Sequence, residues 1–268
     1  MILDENIESV YSAGREMQKV YSYGKLVWEK KDYRQIPFTV KAIGDKVSIS
    51  IYTSEPIVRL YYSFSINGGE WKRTSGTINI NKNDTISFLA DKAYDVQISG
   101  LSDVYGNVMS LLHGDDFINQ SSWMWYSQIY SGLFSNCDIR SAKNLFLPPP
   151  DGEYCCNNMF ANCMYLTTPP KLPATTLYNG CYKGMFFNCS SLTTAPELPA
   201  TTLYRRCYYE MFRGCSSLNY IKCYAMQNIS NDSVGNWLKN TSGGTFVCYS
   251  DSNIQNYIPD TWTVEYLT

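Results

Sequence analysis

Two hydrophobic patterns divide this chain. Between Ile36 and Gly100 apolar and polar residues alternate, through Phe38-Thr-Val40, Val47-Ser-Ile49-Ser-Ile51, Leu60-Tyr-Tyr-Ser-Phe64, Thr77-Ile-Asn-Ile80, Ile86-Ser-Phe88 and Val96-Gln-Ile98. A period of two marks strands with one buried face, and Asn67-Gly68-Gly69 and Asn83-Asp84 supply turns between them. This stretch predicts a small antiparallel β-sandwich. Further along the period changes. Cys181, Met185, Phe186 and Cys189, and again Cys207, Met211, Phe212 and Cys215, fall at i, i+4, i+5 and i+8, with Leu177 and Leu203 one turn earlier. That spacing predicts a short amphipathic helix. After it comes Leu192-x-x-Ala195-x-x-Leu198, or Leu218-x-x-Ile221-x-Cys223, an extended segment that Pro169, Pro170, Pro173, Pro196 and Pro199 keep from continuing as helix.

The second pattern is itself repeated every 26 residues. Phe134 and Cys137, Phe160 and Cys163, Phe186 and Cys189, and Phe212 and Cys215 keep one frame, and Cys155, Cys181 and Cys207 form a second cysteine column. One helix and one short strand per unit match the leucine-rich-repeat period, and such units stack into an array with one long face. The expected fold class is therefore mixed α/β and modular: an N-terminal β-hairpin segment, a small antiparallel β-sandwich, then a leucine-rich-repeat solenoid. The expected boundaries are an anchoring segment over 1–31, a β-sandwich spacer over 32–104 and a capped repeat domain over 105–268, with repeats from about 130 to 225.

The cassette Cys181-Tyr-Lys-Gly-Met-Phe-Phe-Asn-Cys-Ser-Ser-Leu-Thr-Thr-Ala-Pro-Glu-Leu-Pro-Ala-Thr-Thr-Leu resembles the BspA-like leucine-rich repeats of Bacteroidales bacteria and their phages. Tyr105-Gly-Asn-Val-Met-Ser-Leu-Leu, Asn236-Trp-Leu and Gly244-Thr-Phe-Val resemble the caps of such arrays. The resemblance implies surface recognition and carries over no catalytic residue. Val10-Tyr11, Val20-Tyr21 and Leu26-Val27-Trp28 are short β-type runs, similar to leader modules of phage structural proteins. They are expected to dock on other virion proteins. The opening Met1-Ile-Leu-Asp-Glu-Asn-Ile-Glu lacks the basic start and apolar run of a signal peptide. The expected location is a virion surface, with a bacterial cell surface as the alternative.

Composition narrows the function classes. A net charge of −2, with no basic run beyond Lys30-Lys31, argues against nucleic acid, and no segment approaches the ~20 apolar residues of a membrane helix. The 23 tyrosines and 6 tryptophans, against 17% charged residues, place amphipathic rings at the surface, where they suit sugar or protein contacts. His113 is the only histidine and sits in a loop beside Asp115 and Asp116, too few carboxylates for a calcium set. Neither an enzyme, a cofactor nor a metal site is expected, and no Cys-x-x-Cys pair suggests zinc. Seven of the ten cysteines fall in the two columns, where inward thiols act as small buried hydrophobes; Cys156 and Cys248 have no assigned place.

The expected function is non-enzymatic: a phage fibre or other virion structural protein, assembled as a homo-oligomer, that adheres to a host-surface glycan or protein. A secreted bacterial adhesin and a virion decoration without ligand are the alternatives. With Leu192, Ala195 and Leu198 inward, Thr193, Thr194 and Pro196 are expected to project, flanked by Thr167 and Thr168 before and by Asn219, Tyr220 and Lys222 after. The binding residues on this strand face are Thr167, Thr193, Thr194, Tyr220 and Lys222. The competing helical face carries Tyr182, Tyr208 and Tyr209. Beneath both lie the ladders of Cys137, Cys163, Cys189 and Cys215, of Cys155, Cys181 and Cys207, and of Phe134, Phe160, Phe186 and Phe212.

Overall fold

In the computed structural model the described residues are 10–12, 15–17, 19–22, 25–29, 31–52, 61–90, 93, 95–119 and 131–267. The chain divides into two compact units, Met1–Tyr33 and Arg34–Thr268. In the first, β1 (Val10–Ser12) pairs antiparallel with β2 (Arg15–Met17), and β3 (Lys19–Ser22) with β4 (Lys25–Glu29). Residues 13–14 and 23–24, which separate the strands within each pair, lie outside the described residues.

The alternating region of the second unit forms β5 (Thr39–Ala42), β6 (Lys46–Tyr52), β7 (Tyr62–Ile66), β8 (Lys72–Thr74), β9 (Ile78–Asn81), β10 (Thr85–Leu89), β11 (Asp95–Ser99) and β12 (Ser102–Asn107). One sheet runs β13-β12-β5-β10-β7-β8, where β13 is Ile139–Phe146, and a second runs β11-β6-β9. The period of two puts Val47, Ile49 and Ile51 of β6, Ile86 and Phe88 of β10, and Val96 and Ile98 of β11 into one core. At the β7–β8 turn, Asn67 and Gly68 both take positive φ, 52° and 70°, as a tight hairpin requires. After β12, the short helix α1 (Ser110–His113) ties the layers: the Ser110 hydroxyl accepts from Phe38 N–H at 2.8 Å and donates to the Phe88 carbonyl at 2.9 Å.

The repeats overturn the expected fold class. Strands in open sheets are the main regular structure of the described residues, helix is scarce, and the expected mixed α/β leucine-rich-repeat solenoid is not what forms. Among them, α-helix is confined to α1 and α2 (Asn231–Val234), with 3-10 turns at Tyr33–Gln35, Gly114–Asn119 and Asn253–Tyr257. Where the apolar spacing predicts helices, the chain makes overlapping turns. The N–H groups of Cys181, Lys183, Met185, Phe187 and Cys189 donate to carbonyls three residues back, in Tyr178, Gly180, Tyr182, Gly184 and Phe186. The alternate N–H groups, of Gly180, Gly184, Phe186 and Asn188, donate instead to Arg205, Tyr209, Met211 and Arg213 in the next unit. Half of the backbone thus bonds within a rung and half between rungs, which leaves few buried polar groups unpaired.

Backbone conformation explains why no helix forms. Gly180, Gly184 and Asn188 hold φ at 64°, 59° and 57°, and Arg206, Glu210 and Gly214 repeat this at 56°, 56° and 80°. A left-handed residue every fourth position is incompatible with an α-helix, at ~1–2 kcal/mol for each non-glycine. The true period is four, so i, i+4 and i+8 face inward together with i+1 and i+5. Gly184 also has a packing reason to be glycine: a Cβ there would lie 2.1 Å from Asn158 Oδ1.

Rings and strands join the alternating and repeated regions. Phe134, Phe160, Phe186 and Phe212 stack at 5.4, 5.8 and 5.7 Å, and Phe38 of the first region continues the column onto Phe134 at 5.2 Å. β12 pairs in parallel with β13, so the division drawn between 104 and 105 falls inside a strand. The chain closes with three parallel strands, β14 (Tyr220–Lys222), β15 (Gly244–Cys248) and β16 (Trp262–Tyr266).

Candidate functional site

Each rung's extended segment divides its side chains between an inner and an outer face. Leu192, Leu198, Leu218 and Ile221 point into the core, and Thr193, Thr194, Asn219 and Tyr220 point out. Parallel bridges align these outward residues: Ser141 opposite Thr168, Thr194 opposite Tyr220, Tyr220 opposite Thr245 and Thr245 opposite Thr263. The backbone ladder is interrupted between the segments of Thr168 and Thr194. There Pro169 stands where Ala195 donates to the Tyr220 carbonyl in the next unit, and proline has no N–H to give.

The expected binding residues fall on this outward face unequally. Thr167, Thr193 and Thr194 are exposed, and Tyr220 is 37% exposed. The Thr167 hydroxyl donates to the Arg140 carbonyl at 3.1 Å, and the Arg140 guanidinium holds Asp103 at 2.9 and 2.6 Å. Lys222 shares the face but is engaged by its neighbours. Its ammonium lies 3.2 Å from Glu197 and 5.1 Å from the centre of the Tyr224 ring, and the hydrogen bonds to Tyr224 and Glu197 push its pKa up. Pro196, expected to project, is buried: between the bonds from Ala195 to Tyr220 and from Leu198 to Lys222 this segment spans three residues against two in the next rung, which breaks the simple order of inner and outer positions.

The competing aromatic face does not exist as expected. Tyr182 and Tyr208 are buried and stacked on each other at 6.4 Å, Tyr208 in turn stacks on Trp237 at 6.4 Å, and burial pushes both phenols well up. In a helix they would follow an inward cysteine onto the flank; in the four-residue coil, i+1 faces inward with i. Tyr209 is half-buried under Arg206, 6.0 Å from its ring. The exposed rings on that side are Tyr178 and Tyr204, one repeat apart.

All members of the cysteine and phenylalanine ladders are buried. The thiols do more than fill space. Cys163, Cys189 and Cys215 donate to the Phe134, Phe160 and Phe186 carbonyls of the preceding rung at 3.0, 3.1 and 3.0 Å, and Cys137 to Val96 at 3.0 Å. Burial raises the thiol pKa of Cys163 and Cys215 to about 12, which keeps the donor proton in place. Cys156 and Cys248 are likewise buried and unbridged, Cys156 with its sulfur 3.9 Å from that of Cys155.

Two features lie outside the expectations from sequence although their signal was present. The residue before each ladder cysteine is Asn136, Asn162, Asn188 or Gly214, the residue types that accept left-handed φ. The amides form a ladder of their own, Asn162 Nδ2 to Asn136 Oδ1 and Asn188 Nδ2 to Asn162 Oδ1, both at 3.1 Å. Glu197, which neutralises Lys222, lies 25 residues before it, one rung away. No family model, no curated protein and no solved structure matches the chain.

Proposed function

We propose that this chain is a non-enzymatic attachment protein, a fibre or related component of a virion surface, that contacts a host-surface glycan or protein through its outward strand face. The observation that carries this reading is the alignment of Thr194, Tyr220, Thr245 and Thr263 across neighbouring strands. Rows of short hydroxyls beside an exposed ring offer donors, acceptors and an apolar stacking plane at fixed spacing, with little side-chain entropy to lose on binding. Tyr220, Thr193 and Thr194 carry the contact; Lys222, bound to Glu197 and Tyr224, shapes the rim. The N-terminal unit serves as the attachment to other virion proteins, and the resemblance of its runs to phage leader modules supports that role. Buried, protonated thiols are poor nucleophiles, which favours recognition over catalysis.

The test is binding of labelled full-length protein to intact Bacteroidales cells. The wild-type protein is expected to bind saturably, and Thr194→Ala with Tyr220→Ala to lower attachment while leaving the melting temperature unchanged. Absence of wild-type binding removes the adhesion reading in favour of a virion decoration. Binding that survives the double substitution moves the contact elsewhere, Tyr178 and Tyr204 being the next pair to replace.

A further inference from the structure

The hydrogen-bonding rule of the repeats is left unfinished at the last rung. The N–H groups of Glu210, Phe212 and Gly214 donate to the carbonyls of Gly235, Trp237 and Lys239 at 3.0, 3.0 and 2.9 Å. The accepting rung repeats the same turns: Trp237, Lys239 and Thr241 donate three residues back at 3.2, 3.1 and 3.4 Å, and Asn236 and Asn240 keep φ at 55° and 64°. Its own alternate N–H groups, those of Asn236, Leu238 and Asn240, meet no acceptor among the described residues. Leu238 is only 2% exposed, where an unpaired donor is costly.

Beyond this rung the chain leaves the pattern of turns. After β15 it returns to β16 through the 3-10 turn Asn253–Tyr257 rather than through a full set of turns. A groove of about 360 Å³ is left, lined by Asn236, Trp237, Leu238 and Lys239 on one side and Asn256 and Tyr257 on the other. Lys239 is the one charged residue in its lining. The Trp237 indole N–H is already satisfied by the Tyr257 carbonyl at 3.0 Å, so it fixes the wall rather than serving a ligand.

We propose that this groove binds an extended segment of a partner protein, which supplies the missing half-rung. Its carbonyls at every second residue accept from Asn236, Leu238 and Asn240, as each internal rung accepts from the one before, and an acidic side chain pairs with Lys239. Main-chain bonding gives such a site its affinity and the charged pair its selectivity. The first rung of a second copy does not fit, because its acceptor end is closed: the Leu133 carbonyl takes the Val96 N–H at 2.8 Å, and Phe134 is covered by Phe38. This surface is separate from the outward strand face and does not depend on the adhesion reading.

The test uses the full chain and a synthetic peptide copying residues 231–241, whose carbonyls fill this row one rung earlier, with Lys239→Glu in the peptide. Binding is expected to slow amide exchange at Asn236, Leu238 and Asn240 by about tenfold. The protein variant Lys239→Glu is expected to lose about tenfold in affinity for that peptide and to regain it with the unmodified lysine peptide. Unchanged exchange at about millimolar peptide, or equal binding of both peptides by both proteins, overturns the proposal. Slowed exchange without peptide that grows with protein concentration assigns the groove to another copy of the chain, and so overturns the assignment to a partner protein.

Discussion

The alternating region and the repeats bury their apolar residues equally well, yet only one of them builds the elements its pattern predicts. In β6 and β10 a period of two leaves the backbone a single solution, because an extended chain is the only one that turns Val47, Ile49 and Ile51 to the same side. In the repeats, Cys181, Met185, Phe186 and Cys189 are all buried, but a helix and a four-residue coil of turns present that set about equally well. Apolar spacing says which side chains go inside. It does not say where the N–H groups bond, and that choice separates the two regions.

The two regions should respond most differently to alkali. All ten cysteines lie from Cys137 onward, and burial raises Cys163, Cys207, Cys215 and Cys223 to about 12. Below the ordinary thiol range both native and unfolded states keep these protons, so the full stability is present. Above it the unfolded chain loses protons that the native state retains, and stability falls as pH rises toward about 12. Alkaline titration followed by circular dichroism is expected to show unfolding above about pH 9. In the alternating region Tyr62, raised to about 12, adds one smaller contribution of the same sign. Replacing Cys163 and Cys215 by alanine should flatten the alkaline slope; an unchanged slope would place the sensitivity outside the thiols.

Next come the rings that join the two regions. Phe88→Ala and Phe186→Ala each truncate a fully buried aromatic and are expected to cost ~3–5 kcal/mol. Because Phe38 carries the stack from one region to the other, both substitutions should lower a single transition. Urea unfolding followed by circular dichroism, which sees both regions, and by thiol labelling, which sees only the repeats, checks this; separated midpoints would divide the core in two.

Asn188 gives the clearest sign. Alanine there is expected to destabilise by ~1–2 kcal/mol, since it resists left-handed φ and removes the amide bond to Asn162. Were the segment helical, the same change would stabilise it, alanine being the best helix former. Asn188→Gly, the residue found in this column at Gly214, is expected to cost less. Thermal melts of the two variants decide between the backbones. At the bottom of the scale, Tyr220→Ala on the outward face should stay within ~0.5 kcal/mol of wild type in the same melts.

Particular residues mark how far the sequence is legible. The β6, β10 and β11 strands, the Asn67-Gly68 turn, the inward phenylalanine and cysteine columns and the exposure of Thr193, Thr194 and Tyr220 can be read from spacing alone. Tyr182 and Tyr208 cannot, because a period near 3.6 carries i+1 away from the buried face, while a period of four keeps it there. The asparagines and glycines before each cysteine are the available warning. Lys222 looks like a free cation in the sequence because its partner Glu197 is adjacent only across rungs.

The 26-residue period, the identity of the inward side chains and the places where glycine or asparagine takes the left-handed turn are written in the order of residues alone. Those are local properties, set by side-chain polarity and by the steric cost at each φ. Three things emerge only when the chain is folded: alternate N–H groups bond across rungs, Phe38 continues the ring stack of the repeats, and β12 and β13 join what the patterns divide. A backbone donor looks the same in any sequence, and its partner, 25 residues away, is chosen by which arrangement leaves the fewest buried groups unpaired.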